Sequence, residues 1–255
     1  MQFFQDGART MLAILLRCLG PLASVMILLA PHAQAQTQDA VDWCRGKGAA
    51  SYSPEVMIGG CTAVIQGGRL KGKELASAFT NRAFAFRRKG DLDRAIKDYD
   101  QAIRLNPNLA VAFSGRGNAY RGKEQYERAI QDYDQAIKLN PNDAGTFNNR
   151  CWAGVLAEQL DQALKDCDES LRLKPDNAHT LDIRGIVYLK SERFDDAIEN
   201  YNAALRIDSK RAHSLYGRAW AYRKTGKEAQ ADTDVAAATA IDPKIEQQFA
   251  RYGVK

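Results

Sequence analysis

The chain has 255 residues, 45% hydrophobic and 26% charged, with a formal charge of +5. That is ordinary globular composition, which excludes bulk disorder and leaves room for one large domain or two small ones. Acidic and basic residues are interspersed rather than blocked into tails, which favours a mixed solvated surface over a nucleic-acid footprint.

The first 35 residues differ in kind. Arg9 and Arg17 give a positive start, an apolar run from Leu19 to Ala30 follows, and Ala33 and Ala35 offer the small side chains that a signal peptidase requires. Residues 1–35 are expected to be a cleaved signal peptide, with the mature chain starting near Gln36 and the protein periplasmic or secreted from a Gram-negative bacterium. An uncleaved anchor fits less well, because the run is short for a span of about 20 residues and contains Pro21. A lipid anchor is disfavoured because Arg17 directly precedes Cys18. No later segment is apolar enough to span a membrane.

Residues 36–75 read as a polar linker followed by a cysteine-bearing leading hairpin, with Pro54 near the start of its second helix. Gly67 to Lys73 spells G-x-x-x-x-G-K, the front of a phosphate-binding loop. Glu74 stands where a magnesium-binding Ser or Thr belongs and no apolar strand leads into it, so the stretch is read as a linker.

From Ala76 the sequence repeats itself. Residues 95–103 and 129–137 nearly coincide at a shift of 34, and the shift persists as five contiguous units: 76–109, 110–143, 144–177, 178–211 and 212–245. A period of this length means a solenoid. Position 8 of the unit carries Ala83, Gly117, Cys151, Gly185 and Ala219, and position 20 is alanine throughout. Position 27 carries Ala102, Ala136, Ser170, Ala204 and Ala238. Small residues there let two antiparallel helices approach closely. Larger residues recur at positions 4, 11 and 24, at helical spacings of four and seven. Position 32 carries Pro107, Pro141, Pro175 and Pro243, a helix stop, with Ser209 as the exception.

These positions resemble the tetratricopeptide repeat family, and the resemblance covers residues 76–245. It implies an all-α fold, a right-handed superhelical solenoid of helical hairpins whose first helices line a concave groove. It also implies a protein that grips an extended peptide or a partner helix, without catalysis or cofactor. Many exported or periplasmic bacterial members of the family carry a short cysteine-bearing lead. Residues 246–255 are too short for another unit and read as a capping segment, with Phe249 and Tyr252 placed to cover the last hairpin.

In an antiparallel hairpin that turns near position 16, residues whose positions sum to about 32 face each other. Cys151 at position 8 and Cys167 at position 24 satisfy this, and Cys44 and Cys61 lie equally far from a turn around residues 51–53. Disulfides Cys44–Cys61 and Cys151–Cys167 are therefore expected, in keeping with the four cysteines that remain in an oxidising compartment once Cys18 leaves with the signal. A redox role for Cys151 and Cys167 is the rival reading, but no C-x-x-C pair occurs and no histidine is spaced as a base. His179 and His213 share position 2 of adjacent units without a matching cysteine or carboxylate, so no metal is expected.

Position 7 is arginine in every unit: Arg82, Arg116, Arg150, Arg184 and Arg218. Position 23 carries Asp98, Asp132, Asp166, Asn200 and Asp234. The two positions sum to 30, which suggests an ion-pair ladder inside the hairpins; a basic stripe that contacts ligand is the alternative.

In the family the groove is lined mainly by positions 2, 5, 9, 12 and 13. Carried onto this sequence, these positions point to Phe84, Arg87, Asn118, Arg121, Asn148, Trp152, Ile186, Tyr216, Trp220 and Arg223, an apolar aromatic middle between basic ends. Arginines at both ends favour acidic side chains or a terminal carboxylate, and tryptophans are natural anchors. The expected role is a scaffold or adaptor of the cell envelope that binds a peptide segment or partner subunit. An envelope thiol oxidoreductase and a polyanion binder are the competing readings, the latter marked by steep salt dependence.

Overall fold

The structure is a computed structural model that describes residues 41–44 and 52–253. The expected signal peptide lies outside the described residues. Helix α1 (Pro54–Gln66) leads into five helical pairs: α2 (Gly72–Arg88) with α3 (Leu92–Leu105), and α4 (Ala110–Gly122) with α5 (Tyr126–Leu139). These are followed by α6 (Ala144–Leu156) with α7 (Leu160–Leu173), α8 (Ala178–Lys190) with α9 (Phe194–Ile207), and α10 (Ala212–Lys224) with α11 (Glu228–Ile241). The short α12 (Ile245–Arg251) ends the described fold. Among the described residues there is no strand and no helix long and apolar enough to cross a membrane. The first pair departs slightly from the repeat, since α2 begins at Gly72, one turn before Ala76. The helix formers Lys73, Glu74 and Leu75 extend it back to Gly72, whose φ is +51°.

Small residues set the distance within each pair. The position-20 alanines Ala95, Ala129, Ala163, Ala197 and Ala231 are all fully buried. At position 8 of unit two, a Cβ added to Gly117 would lie 2.8 Å from Tyr133 Cε1, closer than the ring allows.

Every hairpin turns by the same device. The position-16 N–H donates to the position-11 carbonyl: Asp91 to Phe86 at 2.9 Å, Gln125 to Tyr120 at 2.9 Å, Gln159 to Gly154 at 2.8 Å, Arg193 to Tyr188 at 2.9 Å and Lys227 to Tyr222 at 2.8 Å. This closure needs a left-handed residue at position 15. Units one and five supply Gly90 and Gly226, whereas units two to four force Glu124, Glu158 and Glu192 to φ values of 56–59°. A left-handed non-glycine residue costs about 1–2 kcal/mol, of which the extra unfolded-state freedom of glycine returns about 0.5–1 kcal/mol. Glu192→Gly is therefore expected to stabilise the protein by about 0.5–1 kcal/mol. A lowered midpoint in chemical denaturation would refute this account of the turn.

Successive first helices touch one another along the stack, while successive second helices do not. The array therefore curves with α2, α4, α6, α8 and α10 on the inside. The position-7 arginines tie the turns of this curve together. Arg82, Arg116, Arg150 and Arg218 each grip both carboxylate oxygens of the position-23 aspartate in their own hairpin, through Nε and Nη2. The remaining Nη1 reaches back to position 25 of the preceding unit: Arg116 to Asp100, Arg150 to Asp134, Arg184 to Asp168 and Arg218 to Asn202. The bond to Asp132 pushes the Arg116 pKa up, and that to Asp234 does the same for Arg218. The arginines are thus structural ties within and between hairpins, and the reading of a ligand-contacting basic stripe is overturned.

At the leading end, Trp43, Met57 and Val64 form a small core against α2, and the Cys44 and Cys61 sulfurs stand within bonding distance, their Cα atoms 5.1 Å apart. In unit three the Cys151 and Cys167 sulfurs do the same, with Cα atoms 5.5 Å apart. At the other end, α12 does not stack as the first helix of a sixth unit. It leans onto α10 more than onto α11, toward the concave side, and buries Ile245 and Phe249 completely.

Candidate functional site

The inner face has three zones. At the leading end Phe84 is half-buried, 6.5 Å from Trp43, with the Arg87 and Arg88 guanidinium groups over its ring at 5.4 and 6.0 Å. Arg87 stands beside Tyr99; burial pushes that hydroxyl up to about 12, and Arg87 pulls the other way. The next unit repeats the arrangement. Tyr133 donates to Asn118 Oδ1 at 3.0 Å, and Arg121 opposes the burial-driven rise of its pKa. Arg87 Nε and Arg121 Nε are both buried without a hydrogen-bond partner. No aspartate or glutamate forms an ion pair with either arginine among the described residues.

The middle zone is covered by the chain itself. Tyr252 meets Trp152 edge-on at 4.8 Å, and its hydroxyl lies 3.4 Å from His213 Nε2. Phe249 packs on Tyr216 at 5.0 Å. Lys190, whose side chain is nearly buried, holds the segment by donating to the Tyr252 carbonyl at 2.8 Å and to Glu158 Oε1 at 2.7 Å. Of the residues expected to line the groove, Asn148, Ile186 and Tyr216 are buried and serve as wall rather than contact surface. Asn148 accepts from Thr180 Oγ1 at 2.9 Å.

The trailing zone holds Trp220, half-buried, with Lys224 over its ring at 5.5 Å. Arg223 is exposed and pairs with Asp232 at 3.2 Å. The expected residues are therefore spread along one face and are not gathered at a point; Trp152 and Ile186 alone share a cavity, in company with Tyr252. Lys190 stands at position 13, one of the groove positions the family pattern supplies, whereas sequence reasoning missed Tyr201 and Arg211 as groove-side residues. Their signal was columnar, since each differs in role from its counterpart in the other units. Among the described residues, no group of three or more His, Cys, Asp or Glu could hold a metal ion.

Models of the tetratricopeptide repeat match residues 110–143 and 184–244, and a TPR repeat model matches 83–123. The chain is a tetratricopeptide-repeat protein. No curated protein sequence matches it significantly. Among solved structures, this tetratricopeptide-repeat chain is similar to MamA, at 22% identity and a TM-score of 0.57 over 64% of this chain and 95% of that one. It is also similar to YrrB, described as a TPR protein with an unusual peptide-binding site, at 22% identity and a TM-score of 0.59 over 74% and 96%. A third is TTC0263, a thermophilic TPR protein of Thermus thermophilus, at 20% identity and a TM-score of 0.57 over 70% and 97%. At these identities the likeness shows the shared solenoid fold. A tetratricopeptide-repeat array of this kind is a scaffold for protein interactions and not an enzyme.

Proposed function

We propose that this tetratricopeptide-repeat protein is an exported adaptor of the bacterial cell envelope that holds a segment of a partner protein along its concave face. The observation that carries this reading is the pair of groove-side arginines, Arg87 and Arg121, each with a buried Nε that lacks a partner. Buried donors left unsatisfied are costly, so the site favours a ligand that supplies acceptors. An acidic side chain or a terminal carboxylate does this best, because guanidinium–carboxylate hydrogen bonds are charge-assisted. Half-buried Phe84 offers aromatic surface beside Arg87. Export is supported by the positive start, apolar run and Ala33 and Ala35 of the first 35 residues.

The test is affinity capture from the envelope fraction, with wild type beside Arg121→Ala. A partner retained by wild type and lost by the variant is the expected result, with N-terminal sequencing of the recovered protein starting near Gln36. Equal capture by both forms would sink the groove reading, and an intact N-terminus would sink export.

A further inference from the structure

Between α8 and α10 lies a cavity of about 170 Å³. Trp152, Ile186, Tyr252, His179 and His213 line it, Tyr252 in edge-on contact with Trp152, and Tyr201 of α9 reaches it from the second-helix layer. Two glycines make room for that ring. A Cβ at Gly185 would lie 2.6 Å from Tyr201 Cζ, and one at Gly217 would lie 2.5 Å from Tyr201 Oη. No real Cβ sits that close to a ring, so both helices are cut back to admit the tip of this tyrosine.

The Tyr201 hydroxyl is buried and has no hydrogen-bond partner. The other units show what it lacks. At position 12 the arginines that accompany Tyr99 and Tyr133 are replaced by Leu189, and at position 9 the Asn118 that accepts from Tyr133 is replaced by Ile186. The residues that satisfy this tyrosine elsewhere have become apolar here, while the tyrosine has been kept. The charged groups nearby are committed to one another: Asp182 accepts from Arg211 and from Ser214. What remains is a small, largely apolar space with one unsatisfied hydroxyl. Burial lowers the pKa of the His179 imidazole on its wall, and His213 Nε2 lies 3.4 Å from the Tyr252 hydroxyl. The setting therefore disfavours an ion and suits a neutral group able to hydrogen-bond.

Its size narrows the choice further, because an apolar cavity of about 150 Å³ accommodates benzene. We propose that this cavity is a binding site for one uncharged phenolic ring, either a tyrosine side chain of a bound partner or a free phenol, with its hydroxyl hydrogen-bonded to Tyr201 Oη. Trp152, Ile186 and Tyr252 enclose the ring together. The partner-tyrosine form rests on the groove reading above; the free-phenol form does not.

The test is calorimetric titration of the full mature chain with p-cresol, toluene and a blocked alanine pentapeptide carrying a central tyrosine. Single-site binding of p-cresol is expected, about tenfold tighter than toluene, the usual effect of one net hydrogen bond. Tyr201→Phe removes the hydroxyl alone and should fold at least as stably, since that hydroxyl makes no bond in the protein. It is expected to abolish the preference for p-cresol while leaving toluene binding unchanged. Tighter binding of the peptide than of p-cresol would identify a partner side chain as the source, and binding of p-cresol alone would identify a free phenol. Absence of binding by both, or a preference that survives Tyr201→Phe, overturns the proposal. The latter outcome would mean that another lining group, His179 or His213, takes the phenol hydroxyl. The groove reading is judged separately by Arg121→Ala, which does not touch this cavity.

Discussion

Arg150→Ala is expected to destabilise the protein by about 3–5 kcal/mol, the range found when one member of a buried ion pair is removed. Arg150 donates through Nε and Nη2 to both oxygens of Asp166, at 2.8 and 2.5 Å, and through Nη1 to Asp134 of the preceding unit at 2.5 Å. Asp166 is only 2% exposed, and without the arginine it would keep a single side-chain donor, Gln162 Nε2 at 3.1 Å. The cost arises from the stranded carboxylate more than from the lost attraction. Replacing both partners together, as Arg150→Met with Asp166→Leu, should therefore recover most of the loss.

Arg184→Ala is the internal control. Its partner at position 23 is the neutral Asn200, reached by one bond of 2.7 Å, and its second contact, Asp168, is half-exposed. A loss of about 1–2 kcal/mol is expected there. Chemical denaturation of the four proteins measures all of this, and an Arg150→Ala value within about 1 kcal/mol of Arg184→Ala would show that the aspartate is not stranded. Because unit three is central and each repeat contacts only its neighbours, the damage should also divide the array. Hydrogen exchange should then speed up around α6 and α7 before either end.

The same ladder shows how far the sequence can be read. Facing positions within a hairpin follow from the turn, so Arg150 opposite Asp166 is legible from position numbers alone. The second contact, back to Asp134, depends on how far one hairpin is staggered against the next. Nothing in a single unit records that stagger. The small residues at positions 8, 20 and 27 make the helical pairs legible for the same reason as the ladder, because each constraint acts inside one unit. The capping segment is the opposite case. Ile245, Phe249 and Tyr252 are spaced four and three apart and plainly form an apolar face, yet that spacing does not say which surface they cover. They lie on the concave side, on Tyr216 and Trp152, and this hides part of the surface that the family pattern leaves open. Leu189 and Ile186 were each readable as apolar. Their importance appears only when they are set against Arg121 and Asn118 around a shared tyrosine.

Loss of the Cys151–Cys167 link is the second large effect expected, about 3 kcal/mol for a closed loop of this length. Unit three departs from its neighbours in the packing around this pair. Where position 24 is Tyr99 or Tyr201, the next unit places glycine at position 6, Gly115 or Gly217, against the ring tip. Where position 24 is Cys167, the corresponding residue is Ile183, 2% exposed, which fills the space a ring would take. The link thus stands in for a ring that this unit has lost. Cys151→Ser with Cys167→Ser should lower stability by about 3 kcal/mol relative to the oxidised protein. Cys151→Gly with Cys167→Tyr should do worse, because the new ring meets Ile183. Adding Ile183→Gly should restore much of that loss, since it recreates the arrangement around Tyr201. Peptide mapping of the unreduced protein checks the pairing itself, and linkage of Cys61 to Cys151 would refute it. Both sulfurs of the unit-three pair are fully buried, so mild reductant should leave the folded chain oxidised. Because such links persist in oxidising compartments and are rare in the cytosol, a thiol count on protein from the native host also tests export. Four free thiols in the mature chain would contradict both the pairing and the proposed location.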